Sequence, residues 1–492
     1  MPAGRKLYYV VAAADLGLVG DALLRGSPWG VNLPLWVLIL AVTAALIPGE
    51  RGPTRRDAQA LVWASLVSAA ALAWRDAPVL VLGNVLATTA LLLLALVRAR
   101  GLRLESVPLG RISRAATRAT LRVAEGAMPF LAQWRPSPSP ALGRRLRAIT
   151  TGVALALPIS AVFTVLLAAA DPVFERAVRL AFSWDAKLIA SHSLLSAGIA
   201  WVACGYLLGL RPATADDEGR GEAAGSGDRR LALGLVEVGI PLGGLAALFA
   251  LFVGIQTRYF FGGDAVVLST AELGWGDYAR RGFFELVAVT GLIVPLLLGA
   301  DGVVDRTDSR AVRGVRTLST LLLGLVALIA GSAVYRLWLY YGVYGLTPTR
   351  IYAAALMGWI CLVLGWFGVT VLRGRRGAFP LGAVVSGLGM LACLNVLNPD
   401  GLVARVNLER SRAGRELDLA QLDRLSADAV PSLLRGAQRL APATSCLVTE
   451  MVRVHSGRSA PEDDWRSWNL SRARALRAAS RIGEDCEEAR ET

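Results

Sequence analysis

The stretch that decides the fold is an apolar run of about one membrane thickness, closed by arginine. Residues 78–97 read PVLVLGNVLATTALLLLALV, and Arg98 and Arg100 follow directly. A helix rises about 1.5 Å per residue, so roughly 20 apolar residues span the hydrocarbon core of a bilayer. This run therefore predicts a transmembrane helix that ends at a basic boundary.

Similar stretches recur along the whole chain. Of 492 residues, 54% are hydrophobic, and the mean hydropathy is +0.50. This apolar content lies in long blocks, which is typical of membrane proteins. The predicted fold class is all-α, a polytopic transmembrane helix bundle of about eleven spans with a small helical extracytoplasmic C-terminal tail. The expected spans are 7–24, 31–48, 58–74, 78–97, 148–170, 187–210, 232–256, 282–300, 317–342, 350–372 and 379–398.

Arginine content alternates from one gap between spans to the next, and this sets the expected orientation. Basic residues stay on the cytoplasmic side, which places the N-terminus inside and the tail outside. The net charge of +14 follows from these loops, so we expect membrane lipids as partners and no nucleic acid. The expected domains are 1–97 (spans 1 to 4), 98–147 (a basic cytoplasmic linker), 148–398 (spans 5 to 11) and 399–492 (the tail).

The linker contains a basic pattern with helical spacing. Arg111, Arg114, Arg118 and Arg122 follow each other at intervals of three and four residues, which aligns them on one helical face. A basic amphipathic helix at the membrane surface would meet anionic headgroups. A solvated arginine face explains the same spacing.

Ionisable residues within spans are the natural candidates for an ion route, because a charge at the bilayer centre needs a partner or a cavity. Glu237, Glu285 and Arg336 lie in expected spans. Structural ion pairs are the alternative. The loop between spans 7 and 8 adds aromatic and basic residues on the outer side, which anchor a helix end or meet a phosphate.

Three segments resemble a known family. Residues 278–286 read YARRGFFEL, residues 398–410 read NPDGLVARVNLER, and residues 425–431 read LSADAVP. They resemble bacterial multi-pass membrane proteins grouped as domain of unknown function 4173, related to group 4153, from about Trp29 to Arg472. The resemblance implies an integral membrane protein of the bacterial plasma membrane and implies no reaction. The residues singled out are Gln256, Tyr259, Tyr278, Arg280, Arg281, Glu285, Asn398, Asp400, Arg405, Asn407 and Arg410.

Catalytic and metal-binding motifs are missing from the sequence. It has no P-loop, H-E-x-x-H, G-x-S-x-G or CxxC pattern and two histidines, so no cofactor, metal or catalytic residue is predicted. Three functions stay open. The first is a non-enzymatic envelope sensor or assembly protein whose tail meets another envelope protein. The second is a transporter or channel that uses the intramembrane charges, and the third is an enzyme on a phosphate-bearing lipid at the outer face.

Two contacts are expected on the outer side. Arg280 or Arg281 is expected near segment 398–410, either paired with Asp400 or lining a shared cleft. Cys446 and Cys486, alone in the tail, are expected to form a disulfide in an oxidising compartment. The other cysteines, Cys204, Cys361 and Cys393, lie in apolar runs and are expected in the core. Trp465 and Trp468 are expected to supply the buried face of a tail helix.

Overall fold

A computed structural model describes residues 3–26, 28–47, 52–102, 109–128, 186–211, 234–261, 283–415, 417–458 and 464–481. Every regular element in these ranges is helical. The α-helices are α1 (Ala3–Leu24), α2 (Asn32–Leu46), α3 (Pro53–Ala70), α4 (Pro78–Ala99), α5 (Leu109–Glu125), α6 (Ala186–Gly209), α7 (Leu235–Phe261), α8 (Phe283–Val303), α9 (Ser309–Tyr344), α10 (Pro348–Thr370), α11 (Ala378–Leu397), α12 (Pro399–Arg412), α13 (Leu419–Asp423), α14 (Val430–Ala437), α15 (Pro442–Arg458) and α16 (Leu470–Ala479). Short 3-10 helices cover Ala71–Ala73, Ala427–Ala429 and Trp465–Ser467.

The all-helical prediction is confirmed for these residues, and seven helices are long and apolar enough to cross a membrane. They are Leu7–Leu24, Pro78–Ala99, Ala190–Gly209, Leu235–Ile255, Ser309–Tyr335, Pro348–Thr370 and Ala378–Leu397. The expected spans 31–48 and 282–300 coincide with shorter apolar helices, Asn32–Leu46 and Val287–Val303. The expected span 58–74 forms α3, which is not one of the seven, and 148–170 lies outside the described residues.

The chain forms two compact units. The first consists of Met1–Arg25, Leu46–Gly49 and Thr120–Gly209. Its helices α1 and α6 approach closely at Gly17. A Cβ on this residue would come within 2.4 Å of the Ser196 carbonyl oxygen. Asp21 accepts a hydrogen bond from Arg25 and lies 2.5 Å from a ring nitrogen of His192. This intramembrane charge is therefore held in a polar contact between the two helices.

The second unit consists of Gly26–Ala45, Glu50–Ala119 and Leu210–Thr492. Helix α9 lies at the centre of its larger apolar core and packs against α7, α8 and α10. Leu322, Val326 and Ile329 of α9 and Met357 and Phe367 of α10 are almost completely buried. All residues of this core are hydrophobic, so apolar packing alone joins these helices there.

The C-terminal segment has a second apolar core of its own. Val403 and Leu408 of α12 meet Leu433 of α14 and Val448 and Val452 of α15. Ile351, near the start of α10, also belongs to this cluster. The tail therefore shares its core with one end of a membrane helix rather than packing as a separate body.

Several expectations about buried residues are corrected. Cys204 is buried as predicted, but Cys361 and Cys393 are exposed. A helix in lipid is as apolar outside as inside, so an apolar run does not tell which face points inward. Trp465 and Trp468 are 62% and 45% exposed. Their backbone forms contacts, as described below, while their rings lie on the surface.

Candidate functional site

The most connected polar group in the described part of the chain is the carboxylate of Asp428. It lies in the 3-10 helix Ala427–Ala429, and its side chain is fully buried. It accepts the backbone N–H groups of Asp76 and Ala77, both at 2.8 Å. It also accepts the hydroxyl of Ser471. One buried carboxylate thus joins the α3–α4 connection to two parts of the tail.

Arg75 supplies the balancing charge. Its guanidinium is buried, lies 3.4 Å from the Asp428 carboxylate and donates to the carbonyl oxygen of Asn395 at 2.7 Å. It also stacks 4.5 Å from the centre of the Trp74 ring. A buried charge is tolerated when it is paired and hydrogen-bonded, and Arg75 satisfies both conditions. It connects the α3–α4 corner to the end of α11.

The segment before α16 closes the same corner from the other side. Asn469 donates to the carbonyl oxygens of Leu72 and Arg75 at 2.7 and 2.9 Å and also caps α16. The N–H of Val31 donates to the carbonyl oxygen of Trp468 at 2.9 Å. The backbone there passes so close that a Cβ on Gly30 would come within 2.6 Å of Ser467. The segment is thus held by backbone contacts, although the rings of Trp465 and Trp468 are exposed.

The NPDG turn predicted from the sequence is the fourth part of this arrangement. Asn398 is the only non-glycine residue with positive φ among the described residues, at 53°, a conformation that asparagine tolerates better than most residues. Its side-chain oxygen caps α12 at the N–H of Gly401, and its amide nitrogen donates to the Asp428 carbonyl oxygen, both at 3.0 Å. Asp400 accepts the N–H of Ser426 at 2.9 Å.

We call Arg75, Asp76, Asp400, Asp428 and Ser471 the Asp428 cluster. Three of its members are carboxylates, and their proximity has an electrostatic cost. Burial raises the pKa of Asp400 above its ordinary value, and Asp428 adds to the shift. Burial likewise raises the pKa of Asp76, against the lowering effect of Arg472. The neutral acids are therefore favoured at these two positions more than in water.

A polar pair deeper in the bundle extends the cluster toward the membrane. Asn84 of α4 and Asn395 of α11 exchange side-chain hydrogen bonds at 3.0 and 3.2 Å, and both are buried. Each amide also donates to a carbonyl oxygen one turn earlier in its own helix. The pair leaves neither amide without partners, as the membrane interior requires.

Asn407 holds a second junction. It donates to the carbonyl oxygen of Leu346 at 2.8 Å and accepts the N–H of the same residue at 3.1 Å. Gly345 precedes Leu346 with φ of +74°, and a Cβ there would meet the Asn407 oxygen at 3.1 Å. The α9–α10 turn is thereby fixed to α12 through one side chain.

A basic cleft of about 140 Å³ lies on the tail between α12 and α14. Arg405 and Arg412 line it from α12, Arg435 lines it from α14, and Arg439 lines it from just beyond the end of α14. Glu409 is the one carboxylate in its lining. No ion pair connects these four arginines to a carboxylate in the described part of the chain. We call this surface the arginine cleft.

The predicted site residues are only partly brought together. Asn398, Asp400, Asn407 and Arg405 take part in the contacts above, and Arg410 lies beside Gly345. Tyr278, Arg280, Arg281 and Cys486 lie outside the described residues, as do the side chains of Gln256, Tyr259, Glu285 and Arg336. The expected proximity of Arg280 or Arg281 to segment 398–410 therefore stays a prediction, as does the disulfide of Cys446. Glu237 is exposed in the first turn of α7.

Sequence reasoning missed the residues at the centre of the arrangement. Arg75 and Asp76 lie in a short loop that contains a single arginine, and Asp428 belongs to the LSADAVP segment but not to the residues predicted as a site. The available signal was Arg75 itself, an arginine in a loop that the sequence predicts to be translocated, against the orientation rule. No group of residues suited to hold a metal ion occurs in the described ranges.

The family described as Domain of unknown function (DUF4153) matches residues 61–436, which is most of the chain. The chain belongs to this family. The DUF4153 match includes Arg75, Asn398, Asp400 and Asp428 but ends before Asn469 and Ser471. It agrees with the related group named from the sequence, while the number 4173 stays a prediction. No curated protein and no solved structure matches the chain.

We expect Asp428→Asn and Asp400→Asn to differ sharply although they are the same chemical change. One carboxylate oxygen of Asp428 accepts both backbone N–H groups and the other faces Ser471 and Arg75. An amide would therefore turn its N–H₂ group either toward the backbone donors or toward the Arg75 guanidinium, and in both cases it would leave Arg75 without its counter-charge. The expected loss of unfolding free energy is about 3–5 kcal/mol, the range for a broken buried pair. Asp400→Asn should cost less than about 1 kcal/mol, because burial already favours the neutral acid there.

Thermal unfolding of the detergent-purified protein and limited proteolysis of the tail measure both effects. Asp400→Asn serves as the matched control for Asp428→Asn. Equal destabilisation by the two substitutions would contradict the central place given to Asp428.

The raised pKa values of Asp400 and Asp76 also predict a pH dependence. The folded state binds protons at these groups at a pH where the unfolded chain does not, so their contribution to stability rises as pH falls from neutral through the raised pKa values. It levels off below the ordinary value of 3.8. Wild type should therefore gain stability relative to Asp400→Asn on acidification, as unfolding curves in one detergent at several pH values would show. Parallel pH profiles for the two proteins would rule this out.

Proposed function

We propose that this DUF4153 protein is a non-enzymatic protein of the bacterial cell envelope, a sensor or assembly protein that presents its tail to a partner. The observation that carries the proposal is the Asp428 carboxylate, whose hydrogen bonds join the α3–α4 connection to two segments of the tail. A catalytic carboxylate needs access to a substrate, whereas this one is buried and occupied. It holds the tail against the α3–α4 connection.

Two further observations support this choice over transport. The cavity of about 560 Å³ between α8, α10 and α11 is lined by apolar side chains, which suits neither ions nor a polar substrate. Glu237 is exposed on the surface of its helix, where it lines no polar route through the described part of the bundle. The alternatives of a transporter and of an enzyme on a phosphate-bearing lipid thus gain no specific support.

The proposed orientation puts the N-terminus in the cytoplasm and the tail outside the plasma membrane. The tail contacts the start of α4, the start of α10 and the end of α11. The opposite ends of the same helices carry Arg98 on α4 and Arg373, Arg375 and Arg376 between α10 and α11. Basic residues concentrate on the cytoplasmic side, which supports an outer tail.

Cysteine labelling tests this orientation with single substitutions at exposed positions in a cysteine-free background. Gln438→Cys in the tail should react with a membrane-impermeant maleimide in intact cells, and Arg373→Cys should react only after lysis. The reverse pattern would overturn the orientation. It would also remove the reason for a disulfide between Cys446 and Cys486, which we propose for an oxidising compartment and which intact mass without reductant measures.

The arginine cleft is the surface we propose for the partner. Four guanidinium groups around a small concave surface complement an acidic protein surface, and arginine is common among residues that dominate protein interfaces. Because the Asp428 cluster holds the tail on the spans, the cleft has a fixed position above the membrane. The partner is therefore expected to be another envelope protein with an acidic patch.

Site-specific photocrosslinking in intact cells tests the interaction. A photoreactive residue at Arg439 should give a discrete protein adduct, and the same residue at exposed Arg453 on α15 serves as the control. The double substitution Arg405→Glu with Arg435→Glu should abolish the adduct. Its unfolding free energy should stay within about 1 kcal/mol of wild type, as for other exposed substitutions. An adduct that is equal at both positions, or that survives the charge reversal, would refute the proposal.

A further inference from the structure

The second unit contains an apolar cavity that the proposed function does not use. Its volume is about 560 Å³, within the roughly 300–1,000 Å³ typical of small-molecule sites. Helices α8, α10 and α11 form most of its wall, and the last turns of α4 and the first turn of α5 complete it. Representative lining residues are Leu94, Ile112, Gly291, Leu298, Ile360 and Phe379.

The length and depth of the cavity fit one leaflet of a bilayer. Its wall on α8 runs from Val287 to Leu298, which is about 16 Å along a helix axis and about half of a hydrocarbon core of ~30 Å. Its lining positions lie toward the C-terminal end of α4, in the middle of α10 and in the first two turns of α11. The cavity therefore extends from the middle of α10 toward the ends of α4 and α11 that carry basic residues.

The cavity meets a strongly basic helix at this end. Ile112 of α5 is buried and lines the cavity. Arg111, Arg114 and Arg118 on the same helix are exposed. An amphipathic helix of this kind lies at the headgroup level with its apolar side turned inward. The apolar wall and the positive charge are therefore neighbours, joined through adjacent residues of one helix.

We infer that this cavity binds an acyl chain of an anionic phospholipid, with the headgroup phosphate at the arginines of α5. Protein interiors rarely contain voids of this size, and an apolar cavity does not hold ordered water because it offers no polar partners. An acyl chain supplies the missing apolar contacts. Arginine at the membrane surface attracts anionic headgroups, which gives the site its preference for lipid charge.

Two glycines of α8 provide a matched pair of variants. Gly291 lines the cavity, and a Cβ there would meet only Ile360, at 3.8 Å. Gly299 is exposed on the same helix, outside the lining, with no atom within 4 Å of its Cβ position. Gly291→Leu should place its side chain in the cavity and obstruct it, and Gly299→Leu should extend into lipid. Both place leucine in the same helix, so a general effect on folding would appear in both.

The arginines of α5 provide the charge test. Arg111→Gln with Arg114→Gln should remove the preference for anionic headgroups and leave the apolar cavity intact. Arg310→Gln with Arg313→Gln changes two exposed arginines near the start of α9 and serves as the control. This pair loses the same net charge from the protein at a position that does not line the cavity.

Native mass spectrometry of the detergent-purified full chain measures the binding. Phosphatidylglycerol and phosphatidylcholine with the same acyl chains are added in equal amounts. Wild type should retain phosphatidylglycerol about tenfold more than phosphatidylcholine, because the arginines of α5 attract the anionic headgroup. Gly291→Leu should lose both lipids, and Gly299→Leu should retain them. The α5 double substitution should bind the two lipids equally, and the α9 pair should behave as wild type.

Retention of both lipids by Gly291→Leu would overturn the cavity as the binding site. Equal retention of the two lipids by wild type would overturn the part played by the arginines of α5. The proposed function would survive either result, because it depends on the tail and not on this cavity. Failure of the tail crosslink would in turn leave the lipid site intact.

Discussion

A single buried carboxylate carries the connection between the tail and the membrane helices. Asp428 accepts two backbone N–H groups from the α3–α4 corner and the hydroxyl of Ser471, and it faces the guanidinium of Arg75. Burial of such a charge is costly unless every lone pair finds a donor. The corner, the end of α11 and two tail segments must therefore take their positions together, and the tail cannot leave without exposing an uncompensated charge.

The two cores of the second unit illustrate different means of stabilisation. The core around α9 consists of apolar side chains, in an environment where the surrounding lipid is equally apolar, so close packing rather than water exclusion holds it. The tail core excludes water in the ordinary way and is shared with the start of α10. Polar contacts concentrate at the boundary between the membrane helices and the tail. The Asp428 cluster lies at this boundary, where backbone groups at helix ends need partners.

The two proposed surfaces lie at opposite ends of the same helices and serve different chemistry. The arginine cleft offers charge in water on a rigid tail, which suits recognition of an acidic protein. The cavity between α8, α10 and α11 offers apolar contact, and α5, which contributes Ile112 to its wall, carries exposed arginines.

The sequence by itself determined the helical class, the membrane setting and the NPDG turn, because hydrophobic length, arginine bias and turn chemistry act locally. It also indicated segment 398–410 as a contact region. Only the tertiary structure decided which polar residues meet. Arg75 and Asp428 are 353 residues apart, and no local pattern relates them. It also decided that Cys361 and Cys393 face outward, since lipid makes both faces of a membrane helix apolar and hides the inward one from the sequence.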